Sequence, residues 1–123
     1  MNSTVKKYGL MAIRIILALA FFGAGAAKLA GVEMMVATYE TIGIGQWFRY
    51  LTGIIEAGSA ILLLVPRTQF WGAALLVCTM IGAVLAHLLI LGPGAMPAAI
   101  LGLLSAVVLY AYRDQFPFRN AWY

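Results

Sequence analysis

The sequence contains few charged residues, and this shortage already limits what the protein can be. Eight Lys and Arg and four Asp and Glu make up 10% of the 123 residues, while apolar residues make up 64%. Soluble domains carry about 25% charged residues, because they need a polar surface. The composition therefore excludes a soluble globular domain, a disordered chain and a DNA-binding module. It indicates one small membrane domain covering residues 1–123.

Cysteine and histidine are equally scarce. The one cysteine, Cys78, excludes an internal disulfide and a CxxC redox pair, and we expect it to be a small buried apolar side chain. The one histidine, His87, and one glutamate, Glu56, are too few for an ordinary metal-ligand set, so the sequence predicts no metal site. No cofactor motif is recognisable in the chain.

Four apolar stretches are close to the ~20 residues that cross a bilayer as a helix. They cover residues 8–30, 47–65, 69–91 and 95–112. Pro66 ends the second stretch, and Gly92 with Pro93 ends the third. Because the turns that follow are short, we expect the last three helices to be antiparallel neighbours. The predicted fold is an all-α integral membrane protein, an antiparallel bundle of four transmembrane helices.

The segment 32–41 lies between the first two stretches and has helical periodicity. Its apolar residues Val32, Met35, Val36 and Tyr39 share one face. This pattern predicts a short interfacial helix that lies as a lid across the outer mouth of the bundle. An irregular loop is the alternative.

The distribution of basic residues predicts the orientation. One side of the predicted bundle carries Lys6, Lys7, Arg67, Arg113 and Arg119, with Arg14 nearest to it. The other side has Lys28 and Arg49, which Glu33 and Glu40 offset. The positive-inside rule then places both termini in the cytoplasm. The aromatic tail 113–123 is expected on the cytoplasmic headgroups.

Ionisable residues within membrane spans are costly and usually functional. We single out four in the predicted spans as candidate site residues: Arg14, Lys28, Glu56 and His87. Arg14 and Lys28 fall on one stripe of the first helix together with Ala18, Phe21 and Gly25, and we expect this stripe to face inward. Either cation can instead extend its side chain to the nearer headgroups. Glu56 is surrounded by small residues that permit close helix packing. We expect it to pair with Lys28 or Arg14, with His87 at a similar depth. An ion pair that only fixes packing, and a histidine that only packs, are the structural alternatives.

One set of residues is shared, in order and spacing, with a known family: Arg14, Gly25 with Lys28-Leu29, Gly53 with Glu56, Leu64-Val65-Pro66-Arg67-Thr68, Met80, Ala83 and His87. The chain thereby resembles the DoxX and DoxX-like family of small four-helix bacterial membrane proteins, most clearly over residues 13–91. The resemblance implies an inner-membrane protein associated with redox systems, such as a subunit of a thiosulfate–quinone oxidoreductase. Because fold is more transferable than activity, it does not imply an independent enzyme.

Three functions stay open at this stage. The first is a redox-associated subunit that binds a small ligand, with quinone as the candidate, in a polar outer-leaflet pocket formed by Lys28, Glu56 and His87. The second is a proton-coupled transporter of an anionic or weak-acid substrate. The third is a structural or assembly factor. The expected partners are the lipid bilayer and a redox protein, with a second copy of the chain as a further candidate and no nucleic acid.

Overall fold

The computed structural model of the chain describes residues 3–115, which form helices joined by short turns. The helices are α1 (Ser3–Ala30), α2 (Glu33–Ile42), α3 (Trp47–Leu64), α4 (Gln69–Ala86) and α5 (Met96–Ala111). A π-helical segment, His87–Leu91, continues α4, and a 3-10 turn, Arg113–Gln115, follows α5. The predicted all-helical class is confirmed.

The observed helices differ little from the predicted stretches. α1 begins at Ser3 rather than near residue 8, because Lys6 and Lys7 favour helix and extend it beyond the apolar run. α3 and α5 end within one residue of the expected limits, and α4 with its π-helical segment covers 69–91 as expected. Of the predicted tail, residues 116–123 lie outside the described residues, so its contact with headgroups stays a prediction.

Four helices form a closed ring around an apolar core. α1 packs on α3, α3 on α4, α4 on α5, and α5 returns to α1. The fully buried side chains at the centre include Leu17, Phe21, Leu63, Leu76 and Val108. Within residues 3–115, three helices are long and apolar enough to cross a bilayer, namely Ser3–Ala30, Trp47–Leu64 and Gln69–Leu91, and Met96–Ala111 is a shorter apolar helix. The molecule is thus a membrane-type bundle of three to four apolar helices.

Glycines allow α1 and α3 to pack very closely. A Cβ atom added at Gly25 would lie 2.7 Å from the carbonyl oxygen of Gly53 and 2.8 Å from the amide nitrogen of Ala57. Both distances are shorter than a van der Waals contact of a Cβ atom allows. The two helix backbones can therefore pack this closely only because position 25 has no side chain. Gly53 and Ala57, two of the small residues around Glu56, therefore serve the contact with α1.

The helix α2 packs across one end of the bundle, which we call the capped end. There it contacts α1, α3 and the π-helical segment His87–Leu91. Glycines with positive φ flank it, Gly31 at 74° and Gly43 at 87°, and they permit the sharp turns before and after the helix. Segment 32–41 is thus helical, and the alternative of an irregular loop is wrong. We call the opposite end, where α1 begins and α3 ends, the basic end.

Candidate functional site

A buried ion pair joins α1 and α3 near the capped end. Lys28 Nζ lies 2.8 Å from Glu56 Oε1, and the two side chains are only 12% and 4% exposed. Lys28 stands in the last turn of α1, and the close packing of α1 on α3 at Gly25 brings it to the middle of α3. Lys28, rather than Arg14, is therefore the partner of Glu56, and the alternative in which Lys28 extends into the headgroups is wrong.

Arg14 binds the other end of α3. Its Nη1 donates to the Leu63 carbonyl at 2.9 Å, and its guanidinium carbon lies 5.5 Å from the centre of the Tyr112 ring. Leu63 is in the last turn of α3, where carbonyl groups lack partners within the helix. Arg14 is thus directed into the bundle and caps α3, and it is not a partner of Glu56.

Arg49 is an interior residue that the sequence reasoning placed among the interface charges. It is only 5% exposed. Its guanidinium donates from Nη1 to the Lys28 carbonyl and from Nε to Gln46 Oε1 at 2.7 Å. The signal was available in the sequence, because Arg49 precedes Glu56 by seven residues and therefore shares its helix face.

The two arginines act reciprocally on the antiparallel pair α1 and α3. Arg14 of α1 binds a carbonyl in the last turn of α3, and Arg49 of α3 binds one in the last turn of α1. The two helices are alike in spacing: Lys28, whose carbonyl accepts from Arg49, follows Arg14 by the same interval as Leu63, whose carbonyl accepts from Arg14, follows Arg49. The cations also oppose the negative ends of the two helix dipoles. This arrangement fixes the register that brings Lys28 to Glu56.

Two hydrogen bonds fasten α2 over the capped end. The Tyr39 hydroxyl lies 2.6 Å from Thr52 Oγ1, and Gln46 Nε2 donates to the Val36 carbonyl at 3.1 Å. Tyr39 was expected on the apolar face of this segment and is buried there, at 7% exposure. Its hydroxyl has a polar role that the apolar pattern did not reveal. Because Thr52 lies four residues before Glu56, α2 is fastened one helical turn from the ion pair.

His87 lies at the start of the π-helical segment. A Cβ atom at Gly94 would lie 3.5 Å from Cε1 and 3.6 Å from Nδ1 of His87, so the ring rests against the turn between α4 and α5. Its Nδ1 is buried and has no hydrogen-bond partner within the described chain. The structure thus brings together Lys28 and Glu56 of the four expected residues, and places His87 near the same end.

The surface of the bundle carries an exposed thiol and an apolar groove. Cys78 is exposed, so the expectation of a buried thiol is wrong; an apolar residue in a membrane helix is as stable against lipid as in the core. An apolar groove of 310 Å³ between α1 and α3 is lined by Phe22, Ile61 and their neighbours, and by none of the four candidate residues. Within residues 3–115, no three His, Cys, Asp or Glu residues are placed to hold a metal ion.

Comparison with known proteins matches residues 12–109 to the model of the DoxX-like family. The chain belongs to the DoxX-like family. The matched region includes Arg14, Lys28, Arg49, Glu56 and His87, and therefore all of the polar interior described above. No curated protein and no solved structure matches the chain. Family membership and the apolar helices together identify this DoxX-like protein as a multi-pass membrane protein.

Proposed function

We propose that this DoxX-like protein binds a small ligand of the quinone class beside Lys28 and Glu56 and serves as the membrane subunit of a redox system. The observation that supports this proposal is the ion pair itself, which is buried in an otherwise apolar bundle. Buried charges in membrane helices are costly and tend to mark ligand or proton sites. The pair lies close to α2, on the side where a ligand would enter from the outer leaflet.

The residues provide the chemistry that a quinone needs. An ammonium group has three N–H donors, and Glu56 occupies one of those of Lys28. The remaining donors suit a quinone carbonyl oxygen, and Nδ1 of His87 offers a second polar contact near the same end. Glu56 can pass protons to the reduced ligand. The electrons come from a redox partner protein, because the sequence has no cofactor motif of its own.

The proposed location is the bacterial inner membrane, with both termini in the cytoplasm and α2 at the outer interface. This proposal is supported by the unequal charge of the two ends, since the basic end carries Lys6, Lys7, Arg14, Arg67 and Arg113 against Asp114. The positive-inside rule assigns such an end to the cytoplasm. Labelling Lys6→Cys in a Cys78→Ala background tests it. Reaction with an impermeant maleimide in intact cells would contradict this orientation.

Quinone binding is tested with the purified protein in nanodiscs. A short-chain ubiquinone is added, and quenching of tryptophan fluorescence is followed. We expect saturable binding that weakens at least about tenfold in Lys28→Met, since a lost hydrogen bond to a charged group costs about 1.5–3 kcal/mol. Glu40→Gln, an exposed glutamate of α2, is the matched control and should bind normally. Quenching that is fully explained by partition of the quinone into lipid, as measured with empty nanodiscs, would reject the proposal.

A second candidate is transport of a small anion or weak acid. The supporting observation is the excess of cations over acids inside the bundle, where Arg14, Lys28 and Arg49 are accompanied by Glu56. Uptake of a labelled weak acid into proteoliposomes with an imposed pH gradient separates the candidates. Gradient-driven uptake that requires Glu56, without quinone binding, would favour the transporter. The double variant Glu56→Gln, Lys28→Met tests a purely structural role. If cells with this variant keep the function of the protein, the ion pair only stabilises helix packing.

A further inference from the structure

The polar residues of α3 lie on a single stripe that runs through the bundle. Arg49, Thr52, Glu56 and Ser59 follow each other at intervals of three, four and three residues, which is the spacing of one helix face. The Leu63 carbonyl, bound by Arg14, continues the stripe by one more turn. At 1.5 Å per residue, the stripe extends about 21 Å from the capped end to the basic end.

Every member of this stripe except Ser59 has a polar partner from a neighbouring segment. Arg49 donates to the Lys28 carbonyl, Thr52 lies against Tyr39, Glu56 pairs with Lys28, and the Leu63 carbonyl accepts from Arg14. Ser59 is only 1% exposed, yet its Oγ has no hydrogen-bond partner within residues 3–115. Nε of Arg14 is likewise buried and without a partner there. Ser59 therefore lies one turn of α3 before the Leu63 carbonyl that Arg14 binds, and Ser59 and Arg14 each carry an unpartnered polar atom.

Ser59 also departs from the behaviour of the other hydroxyl residues in these helices. A serine or threonine inside a helix ordinarily donates to the carbonyl four residues earlier. Within residues 3–115, the residues seen to do so, at 2.7–3.0 Å, include Thr38, Thr41, Thr52, Thr79 and Ser105. Ser105 is as deeply buried as Ser59, at 0% exposure. Burial alone therefore does not explain why the Ser59 hydroxyl is not bound to its own helix.

A buried hydroxyl without a partner costs about 1–3 kcal/mol, and ordered water is the usual remedy where two or more polar groups converge. Ser59 lies three residues from Glu56 on one side and four from Leu63 on the other, so both are its nearest neighbours on that face. We propose that Ser59 and Arg14 form a hydrated site inside the bundle. Through it, water and small ions reach the Lys28–Glu56 pair from the basic end.

This inference concerns the route to the pair, whereas the proposed function concerns the ligand bound there. A hydrated route would supply Glu56 with protons from the side opposite α2. The test of the hydrated site measures access by water and small ions. Its result therefore does not depend on whether the protein binds quinone.

The test compares two buried serines in nanodiscs, in a Cys78→Ala background. Ser59→Cys and Ser105→Cys are exposed to silver ions, and the remaining thiol is titrated after denaturation. A thiol in dry apolar surroundings is inert, so Ser59→Cys should react at least about tenfold faster than Ser105→Cys. Adding Arg14→Met, which removes the charged side chain from the proposed site, should slow the reaction of Ser59→Cys with silver ions several-fold. Equal rates for the two cysteines would overturn the proposal.

Hydrogen exchange of the unsubstituted protein provides a second measurement that does not depend on cysteine variants. Backbone amides of residues 57–63 in α3 should exchange faster in nanodiscs than those of residues 102–108 in α5, because water reaches only the first group. Mass spectrometry of peptides from the two segments measures the difference. Equal protection of both segments would contradict a hydrated site at Ser59.

Discussion

Breaking the Lys28–Glu56 pair from one side should destabilise the protein far more than removing both charges together. In Glu56→Gln the ammonium of Lys28, which is 12% exposed, loses its counter-charge. An unpaired partner of a buried ion pair costs about 3–5 kcal/mol. In the double variant Glu56→Gln, Lys28→Met, neither member of the pair carries a charge, so part of this loss should be recovered. Quinone binding should not be recovered, because both polar groups are gone.

The assay is unfolding by SDS in mixed micelles, followed by helical circular dichroism. The wild type, both single variants and the double variant form a double-mutant cycle, which isolates the coupling between the two side chains. Glu40→Gln serves as the control, because this exposed glutamate of α2 should change the free energy of unfolding by no more than about 0.5 kcal/mol.

The sum of the two single losses must exceed the loss in the double variant by well over the ~0.5 kcal/mol within which independent sites add. If the losses simply add, the two side chains do not stabilise each other, and the geometry of 2.8 Å has no energetic consequence.

Three further variants test the packing around the site by the same unfolding assay. Gly25→Ala should lower the free energy of unfolding by about 1–3 kcal/mol, because its Cβ would lie 2.7 Å from the Gly53 carbonyl oxygen. Gly23→Ala is the control and should be neutral or slightly stabilising, because its Cβ would meet nothing within 4 Å. Equal effects of the two substitutions would contradict the close packing. Arg49→Lys should lower the free energy of unfolding by about 1.5–3 kcal/mol, since an ammonium does not reproduce the guanidinium's separate hydrogen bonds to two acceptors. Wild-type stability of this variant would show that these hydrogen bonds are unimportant. Tyr39→Phe should cost about 1 kcal/mol and speed hydrogen exchange in α2, where unchanged exchange would show that its hydroxyl does not fasten the helix.

The local features of the helices were predictable because they depend on neighbouring residues. Pro66 and Gly92 end helices through backbone geometry that needs no tertiary contact. The inward stripe of α1 was likewise visible, since positions three and four residues apart share a face in any helix. Ala18, Phe21 and Gly25 of that stripe are buried as the pattern indicated.

Burial was harder to predict, and Cys78 is an example. In water, an apolar residue is driven into the core, so hydrophobicity reports burial. In a membrane the lipid is as apolar as the core, and the outward face of a helix carries the same residue types as the inward face. The sequence of α4 therefore could not distinguish a buried thiol from the exposed one observed.

The pairing of the charges depended on the tertiary structure. From sequence, Arg14 and Lys28 were both candidates for Glu56, since they share a face of α1 and periodicity within one helix does not fix its register against another. The register of α1 on α3 is determined by contacts between the helices, namely the close approach at Gly25 and the arginine bonds at each end. These contacts assign Lys28 to Glu56 and Arg14 to the end of α3. The sequence by itself determined a helical membrane protein with charges inside it, and only the packing of the helices decided which charges meet.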